Sequence, residues 1–252
     1  MSERYETIGR SYAATRREDP RIARRIHEAL GDARSVVNVG AGTGSYEPVD
    51  RYVIAVEPSD VMAEQRPPSR VPAIRASAGE LPLRDRSVDA AMAVLTLHHW
   101  DDAQERGVRE LRRVARDRVV ILTYDASVSG RMWLMADYLP EVAALDERIF
   151  PSPDALTGWL GGAVEVQTLP ISRDTSDWML GSFWAHPERV LDERARANTS
   201  GFARMPDDVV QRVVSSLRRD LEDGSWDARH GELRTLDEHD VGLRLIIARR
   251  AG

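Results

Sequence analysis

Apolar positions along the chain change period several times, and each change marks an element. Ile22, Ala23, Ile26, Ala29 and Leu30 recur at helical spacing, with Asp19-Pro20 as N-cap and first helical position and Gly31 as the stop. The run Ser35-Val36-Val37-Asn38-Val39 then predicts a short buried strand leading straight into Gly40-Ala41-Gly42-Thr43-Gly44. Residues 52–56 predict a second strand that ends at Glu57-Pro58-Ser59. Residues 72–76 and 87–95 predict a third and a fourth. Asp101 or Asp102 is expected to cap the following helix, with Glu105 as the capping-box acid and Val108, Leu111 and Ala115 on its apolar side. Residues 118–124 predict a fifth strand.

After Tyr124 this rhythm breaks. Residues 126–162 read as helical and aromatic, with Trp133, Tyr138 and Trp159, and Gly161-Gly162 precedes a strand at 163–169. Residues 173–235 are again mostly helical. Pro206-Asp207-Asp208 opens a helix that turns Val209, Val210, Val213, Val214, Leu217 and Leu221 inward. A final strand is expected at 241–248. Strands alternating with helices, rich in β-branched residues, predict an α/β fold: a mostly parallel sheet with helices on both faces and a helical cap inserted in the C-terminal half.

Composition narrows the chemistry. The 252 residues carry 35 basic and 41 acidic side chains, a net charge of −6, which disfavours unaided binding to a nucleic-acid backbone. There is no cysteine, so disulfides, thiol nucleophiles and thiolate-bound metals are excluded. There is also no lysine, which excludes Schiff-base chemistry and a Walker lysine. Residues 1–10 are polar and no apolar run approaches the roughly 20 residues that span a bilayer, so a cytoplasmic protein without membrane insertion is expected.

The glycine cluster is informative because of its neighbours. A buried strand ending in Gly40-x-Gly42-x-Gly44 lets the backbone approach a ligand closely, and a carboxylate at the end of the next strand, Glu57, is placed to accept from two ribose hydroxyls. The dinucleotide fingerprint requires its third glycine one position later, where this chain has Ser45. The spacing therefore favours a nucleoside ligand without a pyrophosphate over a nicotinamide dinucleotide.

The segments 36–45, Ala55-Val56-Glu57-Pro58-Ser59, Ser77-Ala78-Gly79-Glu80-Leu81-Pro82-Leu83, Ser87-Val88-Asp89 and Leu97-His98-His99-Trp100 fall in an order that resembles the class I S-adenosylmethionine-dependent methyltransferases, specifically their ubiquinone-biosynthesis-like small-molecule branch. The resemblance covers roughly residues 5–125. It implies a Rossmann-like seven-stranded sheet whose last strand is antiparallel. It also implies one domain over 1–252: a lid and helix (1–30), a cofactor-binding half (31–125), a sheet completion carrying the cap (126–240) and the final strand (241–252). Gly40, Gly42 and Gly44 would pass beneath the methionine part of S-adenosylmethionine. Asn38 stands where the family usually has an acid that contacts the cofactor amine. Glu57 would hold the ribose, Pro58 and Met62 would flank the adenine, and Ser77 and Ala78 would meet its edge. Leu95 and Thr96 would lie near the sulfur. Tyr12 and Arg16 match the lid, with Arg16 or Arg17 pairing with the cofactor carboxylate.

Methyl transfer from a sulfonium requires alignment and the management of one proton, with no nucleophilic residue or metal. His98 and His99 are the base candidates near the fourth strand's end. They and Asp101 and Asp102 lack the spacing of a metal site, so none is expected. No Gly-x-Ser-x-Gly elbow supports a hydrolase. In the aromatic second half, the stretch Asp177-Trp178 to Phe183-Trp184, with Trp100 below it, is the candidate for an acceptor pocket, Trp178, Trp184 and Trp100 foremost. The expected activity is methylation of a small-molecule acceptor, at oxygen in preference to carbon or nitrogen, by a monomer or homodimer. A nicotinamide-dependent oxidoreductase and a non-catalytic S-adenosylmethionine-binding protein are the competing readings.

Overall fold

The computed structural model describes residues 17–197 and 199–250. Its strands are β1 (Ser35–Val39), β2 (Tyr52–Val56), β3 (Ala73–Ile74), β4 (Val88–Val94), β5 (Ala115–Tyr124), β6 (Ala163–Thr168), β7 (Ile171–Ser172), β8 (Glu238–His239) and β9 (Leu243–Arg249). Seven of them form one sheet in the order β3-β2-β1-β4-β5-β9-β6, and β7 pairs with β8 apart from it. β1 to β5 run parallel, whereas β9 lies antiparallel between β5 and β6. This is the Rossmann-like sheet with an antiparallel final strand expected from the sequence.

The helices are α1 (Pro20–Leu30), α2 (Asp60–Glu64), α3 (Gln104–Val114), α4 (Ala126–Ser129), α5 (Pro140–Ile149), α6 (Pro153–Leu160), α7 (Glu193–Ala197), α8 (Ser200–Ala203), α9 (Asp207–Glu222) and α10 (Ser225–His230). None among the described residues is long and apolar enough to cross a membrane.

Successive residues of a strand point to opposite faces, and the sheet is covered on both. Val36, Met92, Val120, Leu122 and Ile247 join one core with α1, Trp133, Phe183, Trp184 and Trp226. Val37, Ala91, Val119, Ile121 and Ile246 join the other with α3 and α6. Most of the aromatic C-terminal half is therefore core on one face of the sheet.

Two local expectations are corrected. Asp101 and Asp102 do not cap α3. They lie in a 3-10 turn over Asp101–Ala103, and α3 starts at Gln104 with no side-chain cap. Glu105 instead accepts from Arg109 at 2.9 Å, one turn on, because that arginine offers a charge-assisted bond along the exposed helix face. Ala115, expected on the helix, instead opens β5 and pairs with Val88, ahead of a register irregularity between Val88 and Ala90. The start of α1 matches expectation: Asp19 accepts from the Arg21 amide at 2.8 Å, behind Pro20.

Candidate active site

The glycine turn leaves β1 held from three sides. The Gly40 and Ala41 amides both donate to the Val56 carbonyl, at 2.9 and 3.0 Å, binding the turn to the end of β2. Gly40 has φ +69°, and a Cβ there would stand 2.0 Å from Thr96 Oγ1. Only a residue without a side chain lets the turn pass so close to the end of β4. Glu57 is buried, and its carboxylate accepts from the Gly42 amide and from the Ser59 amide, each at 2.8 Å. An ionised carboxylate has about four acceptor positions, so Glu57 holds the turn with two and retains capacity for a pair of hydroxyls.

These elements surround a cavity of about 430 Å³, within the usual range for a small-molecule site. Of the residues singled out from the sequence, Asn38, Gly40, Gly42, Glu57, Pro58, Met62, Ser77, Ala78, Leu95, Thr96, His99 and Trp100 all line it. Leu95 does so at φ +51°, with its amide held by the Leu122 carbonyl at 2.8 Å. Such a conformation costs a non-glycine residue of order 1–3 kcal/mol and persists because its surroundings enforce it. Tyr12 and Arg16 lie outside the described residues, and Arg17 is exposed.

Gly44 is not on the wall. A Cβ there would meet Glu47 Oε2 at 3.1 Å and Arg70 Cγ at 3.0 Å, so this glycine makes room for a buried ion pair behind the turn. Arg66 donates to both Glu47 oxygens, at 2.8 and 2.9 Å, and to the Gly42 carbonyl at 3.0 Å. Glu47 also accepts from Asn38 Nδ2 at 3.0 Å. A carboxylate cannot donate, so this bond fixes which end of the Asn38 amide faces Glu47 and leaves Oδ1 as the acceptor for the pocket.

Sequence reasoning missed Tyr46, and reached Asp177 only as the first residue of the stretch 177–184 expected at an acceptor pocket. Both line the cavity, and the Tyr46 hydroxyl donates to Asp177 Oδ2 at 2.9 Å. Asp177 is buried and comes from a connection 131 residues beyond Tyr46. No local pattern announces it. It is held in place through the N-cap of α1, Asp19, which accepts from the Ser176 amide at 3.2 Å. Glu57, Asp60 and Asp177 are the acids of the lining, and no arginine is among its described residues. Such walls suit a cationic ligand and oppose a pyrophosphate, which weighs against a nicotinamide dinucleotide.

The two adjacent histidines part company. His98 is buried with its ring stacked on Phe150 at 4.4 Å between centroids, and it is not on the cavity wall. His99 is on the wall, and Arg204, which follows α8 in the cap, donates to its Nδ1 at 3.0 Å. Burial, with the Arg204 charge adding to it, pushes the His99 pKa down to about 3. Asp146 on α5 interacts with the same guanidinium. Burial raises its carboxyl to about 7, although Arg204 pulls in the other direction.

The aromatic candidates also separate. Trp100 lines the cavity and packs tightly over Gly107 of α3, where a Cβ would come within 2.6 Å of its ring. Trp184 is a core residue: it is completely buried, its carbonyl accepts from Trp133 Nε1 at 2.8 Å, and it is no part of the cavity wall. Trp178 lies under the Arg189 guanidinium at 4.5 Å and is likewise outside the lining. The correction has a simple cause. The segment bearing Trp178 and Trp184 packs on the face of the sheet, and only its Asp177 reaches the strand ends.

Comparison with known proteins follows the same lines. A family model described as a methyltransferase domain matches residues 37–123. The chain is 33% identical to a solved putative methyltransferase from an antibiotic biosynthesis pathway of Anabaena variabilis, covering 93% of this chain and 98% of that one with a TM-score of 0.84. The fold is shared more distantly with phosphoethanolamine N-methyltransferase 2 of Haemonchus contortus, solved with S-adenosyl-L-methionine (14% identity, 100% of this chain, 61% of that chain, TM-score 0.58). It is also shared with the [4+2]-cyclase SpnF (17% identity, 91% of this chain, 80% of that chain, TM-score 0.51). No curated protein sequence matches the chain significantly.

Proposed function

Since the chain belongs to the class I S-adenosylmethionine-dependent methyltransferases, we propose that it methylates an oxygen of a small-molecule acceptor and sits in the ubiquinone-biosynthesis-like branch of the family. The observation that carries the reading is the acid-walled cavity. It runs from Glu57 and Pro58 past the Gly40–Gly42 backbone to Asn38, Tyr46 and Asp177, with His99 and Trp100 on its wall.

In this reading Glu57 accepts from the ribose hydroxyls, and Met62, Pro58, Ser77 and Ala78 enclose the adenine. The cofactor's ammonium lies between Asn38 Oδ1 and the Asp177 carboxylate. Glu47, the nearest acid to Asn38, is already neutralised by Arg66, so Asp177 supplies the negative charge that position 38 lacks. The cofactor brings an activated methyl on a cationic sulfur. The chain's task is to bind it, strip water from it and line up the acceptor.

The reading is tested by calorimetry with S-adenosylmethionine, S-adenosylhomocysteine and NADH, followed by assay of S-adenosylhomocysteine release with candidate acceptors and product analysis of the methylated atom. Binding of the first two and not of NADH is expected. Affinity for NADH alone would overturn it.

A further inference from the structure

His99 meets Arg204 through Nδ1, at 3.0 Å, on the wall of the cofactor cavity. A guanidinium has five N–H donors, no acceptor and no accessible neutral form. The ring nitrogen facing it must therefore be an unprotonated acceptor, and the ring proton must sit on Nε2. We infer that Arg204 is a positioning residue that locks His99 as a neutral Nε2–H donor, so that His99 orients an already ionised oxygen of the methyl acceptor instead of removing its proton. This rests on the methyl-transfer reading of the site and narrows its substrate class.

Two further steps lead from the donor to that class. An acceptor atom that attacks the methyl while receiving a hydrogen bond needs more than one lone pair. A carboxylate, enolate or phenolate oxygen has them; a neutral amine nitrogen has a single pair, which the attack consumes. The balance of the transfer then closes without a base. The oxygen's electron pair forms the new C–O bond, the S–C pair returns to sulfur as a neutral thioether, and the oxygen anion becomes a neutral ester or ether. Acids that lose their proton to water near neutrality meet this requirement, and ordinary alcohols do not.

The groups around His99 agree. His98 has its ring centroid 3.8 Å away, and Arg204 adds a fixed positive charge. Asp146 is the carboxyl that shares Arg204, and its raised pKa of about 7 leaves it partly uncharged near neutrality. A second proton on His99 is thus opposed by burial and by its guanidinium neighbour.

The test is histidine side-chain nitrogen NMR on the full-length protein saturated with S-adenosylhomocysteine. In the wild type, His99 should stay in the neutral Nε2–H form from pH 8 down to about pH 5, a range set by the ordinary histidine pKa near 6.5. In Arg204→Met it should titrate at least one pH unit higher than in the wild type. An Nδ1–H tautomer, or wild-type titration between pH 6 and 7, would overturn the inference even if cofactor binding is normal. The methyl-transfer reading itself fails separately, if S-adenosylhomocysteine does not bind. For turnover, carboxylic and acidic phenolic acceptors are compared with amines of the same skeleton. His99→Gln, which keeps a donor, should retain kcat better than His99→Leu, which should raise the acceptor KM about tenfold. Preferred methylation of the amines would contradict the assignment, as would loss of a rate-controlling ionisation near pH 6.5 in His99→Gln.

Discussion

Glu47 and Arg66 meet at 2.8 Å behind the glycine turn, with side-chain exposures of 2% and 3%. One guanidinium nitrogen of Arg66, Nη2, donates to both Glu47 oxygens while Nη1 donates to the Gly42 carbonyl, and Glu47 also accepts from the Asn38 amide. The pair therefore braces the turn from outside the cavity lining. Truncating one partner of such a pair strands a buried charge and costs about 3–5 kcal/mol. Glu47→Ala is expected to lose about that much in urea unfolding at pH 7, and saturating S-adenosylhomocysteine should recover part of the loss.

Glu57→Gln keeps the shape of the side chain but replaces one of the two acceptors of the Gly42 and Ser59 amides by a donor. Cofactor affinity should fall by about 1–3 kcal/mol, the scale of hydrogen bonds to a charged group. Calorimetry with S-adenosylhomocysteine measures it. An unchanged affinity would remove Glu57 from the ribose.

Asp177→Asn tests the other end of the cavity. S-adenosylhomocysteine should bind it about 1.5–3 kcal/mol more weakly than it binds the wild type. An analogue with the amino group replaced by hydrogen should bind both proteins alike. If the two ligands lose equally, Asp177 does not meet the ammonium, and if neither loses, it faces the acceptor or serves only Tyr46.

The three glycines of the turn should not be equally sensitive. Gly40→Ala drives a Cβ into Thr96, at 2.0 Å from its hydroxyl oxygen, whereas a Cβ on Gly42 meets only the end methyl of Met62 at 3.3 Å. Thermal unfolding should show Gly40→Ala as clearly the more destabilising. Gly42→Ala, at φ +50°, should carry mainly the backbone cost of about 1–2 kcal/mol and a larger effect on ligand affinity.

Asp146 ties stability to pH. Its carboxyl is raised from 3.8 to about 7 in the folded state, so between those values the native protein holds a proton that the unfolded chain releases. Stability from this group is complete at low pH and declines as pH rises toward 7. His99 works in the opposite sense: with a folded pKa of about 3 it adds stability as pH rises from about 3 to the ordinary value of 6.5. Subtracting Asp146→Asn from wild type isolates the first effect. Urea midpoints at pH 4, 6 and 8 should show the wild type losing ground to the variant as pH increases, and a constant difference would mean that folding does not raise the Asp146 carboxyl.

Local pattern determined a good deal of this protein. The strand ending in Gly40, the acid closing the next strand and the N-cap at Asp19 are each written within a few neighbouring residues, because hydrophobic period, glycine and capping chemistry act over one or two turns. The cavity wall from Asn38 to Thr96 follows, since a parallel sheet brings successive strand ends to one edge. What the tertiary structure alone decided are the meetings between distant segments. Asp177 reaches Tyr46 across 131 positions and Arg204 reaches His99 across 105. Trp184, whose composition suggested a pocket, is drawn into the core on the sheet face. Aromatic burial and single polar contacts depend on which surfaces the packed layers present to one another, and no periodicity in the chain encodes that.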